Sequence, residues 1–142
     1  MKLINFFKKK IKNQNKIIKL IKFIIKNENI LNHYKLNFIL CDNKYILYLN
    51  RKYLNHNYYT DIITFNYTDI KINKYIISDI YISISQLLKN SKYYNCSYFI
   101  EFIRVLIHGV LHLLGYNDNN NYERKFIIYK ENFYIYYYEN IL

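Results

Sequence analysis

His108 and His112 stand four apart in the stretch Arg104–Asn119, RVLIHGVLHLLGYNDN, and Asp118 follows closely. On a helix, residues at i and i+4 share a face one turn apart. Two imidazoles spaced this way can grip one metal ion. A third ligand must come from outside the helix, because a helix cannot wrap round its own ion. Gly115 is where the helix can stop, since glycine tolerates the left-handed conformation that closes a helix C-terminus. The chain then turns, and Asp118 can swing back as the third ligand. Three protein ligands leave at least one coordination position open, which marks a catalytic metal site rather than a structural one.

Histidines on an apolar helix face also serve as packed core residues, and HxxxH alone is weak evidence. The full pattern HxxxHxxGxxD is more specific. The chain has two glycines, Gly109 and Gly115, and both fall inside it. The spacing matches that of the metzincin metalloproteases, HExxHxxGxxH, but Gly109 takes the place of their general-base Glu and the third ligand is Asp, not His. Such a site can still polarise an oxygen and acidify a bound water. Basic surroundings suit a phosphodiester better than a peptide.

The chain has 142 residues, which predicts one domain over 1–142 with a sizeable core. It contains no proline, no tryptophan and no alanine. Ile, Asn, Lys and Tyr fill the space, a pattern that A/T-rich codons produce by themselves. The net charge of +11 favours nucleic acid or an anionic surface as partner. Cys41 and Cys96 form no CxxC pair and suggest a reducing cytosol. The basic N-terminus lacks an apolar segment of secretory length, and the apolar runs fall short of a membrane span. A cytoplasmic protein with no membrane partner is the expectation.

Strands are expected over Leu3–Phe7, Tyr34–Cys41, Thr60–Asn66 and Ile76–Ser83. Lys16–Lys26 has the apolar spacing of an amphipathic helix. Asp42 can cap a helix that runs to about Leu54 with Ile46, Leu47, Leu49 and Tyr53 inward. Tyr67–Lys74 is a connection of poor periodicity, partly strand. Ser85–Lys92 is helical with Leu87 and Leu88 inward, and Asn95–Ser97 breaks it. Tyr98–Leu114 is the central helix, apolar on most sides and therefore buried. Asn120 or Asn121 can cap a last helix from Tyr122 to about Asn140, whose aromatic stripe belongs to core and groove wall. The fold class is α+β: a small mixed sheet with helices packed on it and the buried motif helix at its centre.

HGVLHLLGYND resembles the signature HGxLHLxGYDH of the YbeY family of metal-dependent single-strand endoribonucleases. Leu49–Phe65, LNRKYLNHNYYTDIITF, is similar to the family's second block, which ends in TDVLSF. SDIYIS, Ser78–Ser83, resembles its GDIxIS strand. The resemblance covers roughly Tyr34–Ile128. It implies His108 and His112 as the first two metal ligands and Asp118 as the third, where most members have His. The ion implied is one Zn²⁺, with Mn, Ni or Fe admitted by the harder carboxylate. The usual family arginine after the second block's aromatic is Leu54 here, and Arg51 and Lys52, one turn upstream, are the candidate substrate-binding residues. Ser78 replaces the glycine of GDIxIS. Thr60 and Asp61 match the TD pair, and Asp61 either orients a ligand or caps a strand. Glu123 and His56 are the rival third ligands.

The resemblance implies a hydrolase that matures the 3′ end of 16S rRNA and serves ribosome quality control, with single-stranded rRNA and ribosome-associated proteins as partners. No side chain declares itself as general base, so the expected catalytic element is a metal-activated water held by His108, His112 and Asp118. The alternatives are a non-catalytic RNA- or ribosome-binding factor with a structural metal, and a metal-dependent hydrolase of another class.

Overall fold

A computed structural model describes residues 1–28 and 31–142. Four strands, β1 (Lys2–Phe7), β2 (His33–Cys41), β3 (Ile62–Asn66) and β4 (Tyr75–Ser83), form one sheet in the order β1-β2-β4-β3. β1, β2 and β4 are parallel, and β3 runs antiparallel to β4, with Ile62 opposite Ile82. The sheet is therefore mixed. Each parallel pair needs a crossover, and helices supply it: α1 (Gln14–Glu28) joins β1 to β2, and α2 (Asn43–Leu54) opens the return towards β4.

Alternation along the strands divides the sheet's faces. Tyr34, Leu36, Phe38 and Leu40 of β2 and Ile76, Ile80 and Ile82 of β4 point into the main core. There they meet Ile17, Leu20, Ile21, Ile24 and Ile25 of α1 and the apolar side of α5 (Tyr98–Leu113). On the other face, Ile46 and Leu49 of α2 pack with Ile63, Phe65 and Tyr81. Beside them runs a polar row across the sheet, in which Asn5 donates to Asn37 at 3.0 Å and Asn37 to Asp79 at 2.9 Å. Ten of the 16 residues of α5 are buried, which makes it the central helix the sequence predicts. No single helix among the described residues is long and apolar enough to cross a membrane.

Asp42 caps its helix as expected, Asn120 rather than Asn121 caps the last, and Ser97 adds a cap at the head of α5. Asp42 accepts from the Tyr45 amide, Ser97 from that of Ile100, and Asn120 from that of Glu123 at the head of α6 (Asn121–Asn140). Three expectations are corrected. Tyr67–Lys74 holds no strand but a four-residue helix, α3 (Ile70–Asn73), capped by Asp69 and too short to show a period. Leu88 of α4 (Ile84–Tyr93) is exposed, because Leu87 and Ser91 already define the face that α4 buries. Tyr53 is also exposed, and buried Asn50 takes the inward place in the last turn of α2, donating to the Tyr58 carbonyl at 2.9 Å. Ser78 is fully buried and donates to the Phe65 carbonyl at 2.9 Å, so the position keeps a close approach without glycine.

Candidate metal centre

α5 delivers two ligand candidates and the turn after it a third. The helix closes with a Schellman arrangement: the Gly115 amide bonds the His112 carbonyl at 3.0 Å and the Tyr116 amide reaches back to that of Leu111 at 3.1 Å. Gly115 has φ +103°, which L side chains rarely adopt. This closure sends Tyr116–Asn119 back along the helix. Tyr116 is then tied down, because its hydroxyl donates to Glu28 at the end of α1. Glu28 also accepts from Tyr134 and from Lys130, the latter at 2.8 and 3.0 Å. Burial alone would raise the Glu28 pKa, but these donors outweigh it and hold the carboxyl below its ordinary value.

Asp118 Oδ2 lies 3.6 Å from His108 Nε2 and 3.5 Å from His112 Nε2. The two ring nitrogens are 2.9 Å apart. Nitrogens this close share either a proton or an ion. The point equidistant from the three atoms lies about 1.9 Å from each, against Zn–N and Zn–O bonds of about 2.0–2.2 Å. The donor set therefore fits one divalent ion. All three side chains keep some exposure, 25% and 28% for the histidines and 41% for Asp118, so the group is reachable from solvent.

On its far side, His108 Nδ1 is 2.9 Å from Glu131 Oε1 of α6. A carboxylate only accepts, so Nδ1 carries the hydrogen and Nε2 faces Asp118 and His112. Burial disfavours the charged ring, but Glu131, then Asp118 and Asp61, outweigh it and raise the His108 pKa above its ordinary value. A cleft of about 440 Å³ opens beside His108, lined by Asp61, Glu101, Arg104, Asp118, Arg124 and Glu131 among others. Asp61 ends the loop that Asn50 pins, and its carboxylate accepts from Asn90 of α4 at 3.1 Å. Burial raises the pKa of Asp61, with the His108 charge opposing, and that of Glu101, with Arg104 opposing.

His108, His112 and Asp118 are thus brought together, and they form the metal-competent group found among the described residues. The rivals are used elsewhere. Glu123 accepts from the Asn119 amide at 2.9 Å, and exposed His56 pairs with the Tyr58 hydroxyl at 3.0 Å. Arg51 and Lys52 sit in the last turn of α2, which covers the opposite face of the sheet, and they do not line the cleft. Arg51 donates to Asn57 at 2.5 Å and Lys52 to Tyr48 at 3.0 Å. The cleft's own cations, Arg104 and Arg124, escaped the sequence reading. Arg104 had a signal: it precedes His108 by four residues and so shares the histidine face. Glu131 had none, because it lies 23 residues from His108 on another helix.

The family described as endoribonuclease YbeY matches residues 3–138. A Karelsulcia muelleri protein named endoribonuclease YbeY is 43% identical over 72% of this chain and 71% of its own. An Azobacteroides pseudotrichonymphae protein of the same name is 50% identical over 56% of this chain and 55% of its own. The solution structure of a Thermotoga maritima protein superposes with a TM-score of 0.66 at 24% identity, covering 97% of this chain and 89% of that one, a likeness of fold. The chain belongs to the endoribonuclease YbeY family.

Proposed function

We propose that this protein is a metal-dependent, single-strand-specific endoribonuclease, working as one domain over residues 1–142. Its task in this reading is maturation of the 3′ end of 16S rRNA and ribosome quality control in the cytoplasm, beside ribosome-associated proteins. The observation that carries it is the convergence of His108 Nε2, His112 Nε2 and Asp118 Oδ2 at the edge of a solvent-accessible cleft. The names of the relatives support the nuclease class.

His108, His112 and Asp118 would hold the ion. Two imidazoles and a carboxylate suit Zn²⁺, and the carboxylate also admits Mn, Ni or Fe. When bound, such an ion polarises a phosphodiester oxygen and lowers the pKa of water. Glu131 fixes the His108 ring with Nε2 turned to the site. Arg104 and Arg124 present positive charge to a phosphate in the cleft, and Arg104 is held by Asn132 at 3.1 Å. Asp61, which lines the cleft, offers a half-buried carboxyl whose pKa burial raises above its ordinary value. Arg51 and Lys52 would act only on RNA that passes round the sheet edge.

Incubation of the purified protein with end-labelled single-stranded RNA, with and without chelator, tests the reading. Internal cleavage that stops with chelator and returns with Zn²⁺ is the expected result. Binding without cleavage under any metal would replace it with a non-catalytic RNA-binding factor.

A further inference from the structure

The net charge is not spread over the chain. Residues 1–27 hold nine lysines and no acid, whereas the remaining 115 hold 12 basic and 10 acidic residues. Nine of the eleven net positive charges therefore lie in β1, the following loop and α1. A/T-rich codons explain many lysines, but they do not explain why the acids avoid this segment. The metal cleft is different: Asp61, Glu101, Asp118 and Glu131 outnumber Arg104 and Arg124. The cleft's side chains alone carry no net positive charge, so the N-terminal segment is the larger source of long-range attraction for a phosphate backbone.

α1 shows how the segment is used. Ile17, Leu20, Ile21, Ile24 and Ile25 are consumed by the core. Lys19, Lys22 and Lys26 stay exposed on the other face. Their spacing of three and four places them in one row, about 10 Å long at the helical rise. Lys26 also shares a shallow groove with Lys71 and Lys74 of the α3 segment. Among the described residues, none of the nine N-terminal lysines makes an ion pair. The row ends where Glu28 bonds Tyr116 and Lys130, neighbours in sequence of Asp118 and Glu131.

We propose that the lysine row of α1, with the Lys8–Lys12 loop before it, is a docking surface for the phosphate backbone of RNA outside the metal cleft. The proposal rests on the nuclease reading for its choice of polyanion. An anionic membrane is the weaker fit: an interfacial helix needs a free apolar face, and that of α1 is buried.

The test is poly(U) binding by the full-length protein in chelator, over a salt series. Lys19→Gln/Lys22→Gln/Lys26→Gln is compared with wild type and with Lys44→Gln/Lys89→Gln/Lys92→Gln, a charge-matched change on exposed lysines of α2 and α4. Glutamine keeps the helix propensity of lysine. Loss of three phosphate contacts lowers the slope of log K against log salt by about 2, and affinity near 0.1 M salt by about 100-fold. The control triple keeps its slope and most of its affinity. An unchanged slope in the α1 variant overturns the proposal, and so does an equal loss in the control, which would mean diffuse charge. Wild type that binds phosphatidylglycerol vesicles but not poly(U) overturns it in favour of lipid. The nuclease reading fails separately: a protein that binds poly(U) through α1 and cuts no RNA with any metal defeats that reading alone.

Discussion

Glu131 of α6 and His108 of α5 face each other across the helix interface at 2.9 Å, Oε1 to Nδ1. Glu131 is buried at 5% exposure, while His108 keeps its Nε2 side towards Asp118 and His112. The carboxylate fixes the tautomer and the ring plane, and such partners are worth 10–100-fold in metal affinity. Glu131→Ala is therefore expected to weaken Zn²⁺ binding by about 10–100-fold. Glu131→Gln, which keeps an acceptor, should lose less. Isothermal titration checks the order; equal affinity in all three proteins would remove Glu131 from the centre.

Gly109 sets how closely α5 can lie on the sheet. A Cβ there would stand 2.5 Å from Ile62 Cδ1 of β3. Overpacking costs about 1–3 kcal/mol, and the gain in helix propensity returns about 1. Gly109→Ala should thus destabilise by about 0–2 kcal/mol, less if the Ile62 side chain turns aside. Ile62→Val removes the clashing methyl, at its own cost of about 0.5–1.5 kcal/mol. In that background Gly109→Ala is expected to be neutral or stabilising. Denaturant melts of the four proteins read the cycle, and additive effects would show that the two residues are not in register.

Glu28 gives a pH-dependent prediction. Its pKa is lowered in the fold, chiefly by Lys130 and the two tyrosines against the opposing effect of burial. A depressed carboxyl contributes stability that is present above its unfolded pKa and lost as pH falls through the folded value. Glu28→Gln should cost about 2–3 kcal/mol at neutral pH, as for a hydrogen-bonded, mostly buried charge. The difference from wild type should shrink as pH drops below 4.5, the ordinary value, and vanish below the folded one. Melts across pH 3–8 would detect it, and a penalty that persists at the acid end would mean that Glu28 acts by packing rather than charge.

Much of the candidate site was legible because it is local. His108, His112, Gly115 and Asp118 lie within a few helical turns, so i, i+4 spacing and one glycine stop define how they meet. Strand alternation likewise marked β2, and Asp42 announced the helix that follows it. What lies across the fold was not legible. Glu131 approaches from α6 through packing that no period encodes. Arg51 and Lys52 are candidates through the resemblance, and spacing along α2 does not say which face of the sheet α2 covers. Tyr122, Tyr129 and Tyr136 read with the aromatic stripe of α6, yet they are exposed, while Tyr134 and Tyr138 are buried. A 20-residue helix with aromatics on every side gives no moment to separate them.

In the proposed function, His108, His112 and Asp118 hold the ion on which RNA cleavage depends. This is tested most directly by measuring Zn²⁺ affinity and single-stranded RNA cleavage on the same preparations of wild type, His112→Ala, Asp118→Ala and Asp118→His. Metal and cleavage should be lost together in the two alanine variants, with the fold retained by circular dichroism. Asp118→His should keep the metal, because imidazole replaces a monodentate carboxylate at a similar bond length. Full metal affinity in Asp118→Ala, or undiminished cleavage in a variant that no longer binds metal, would contradict the account.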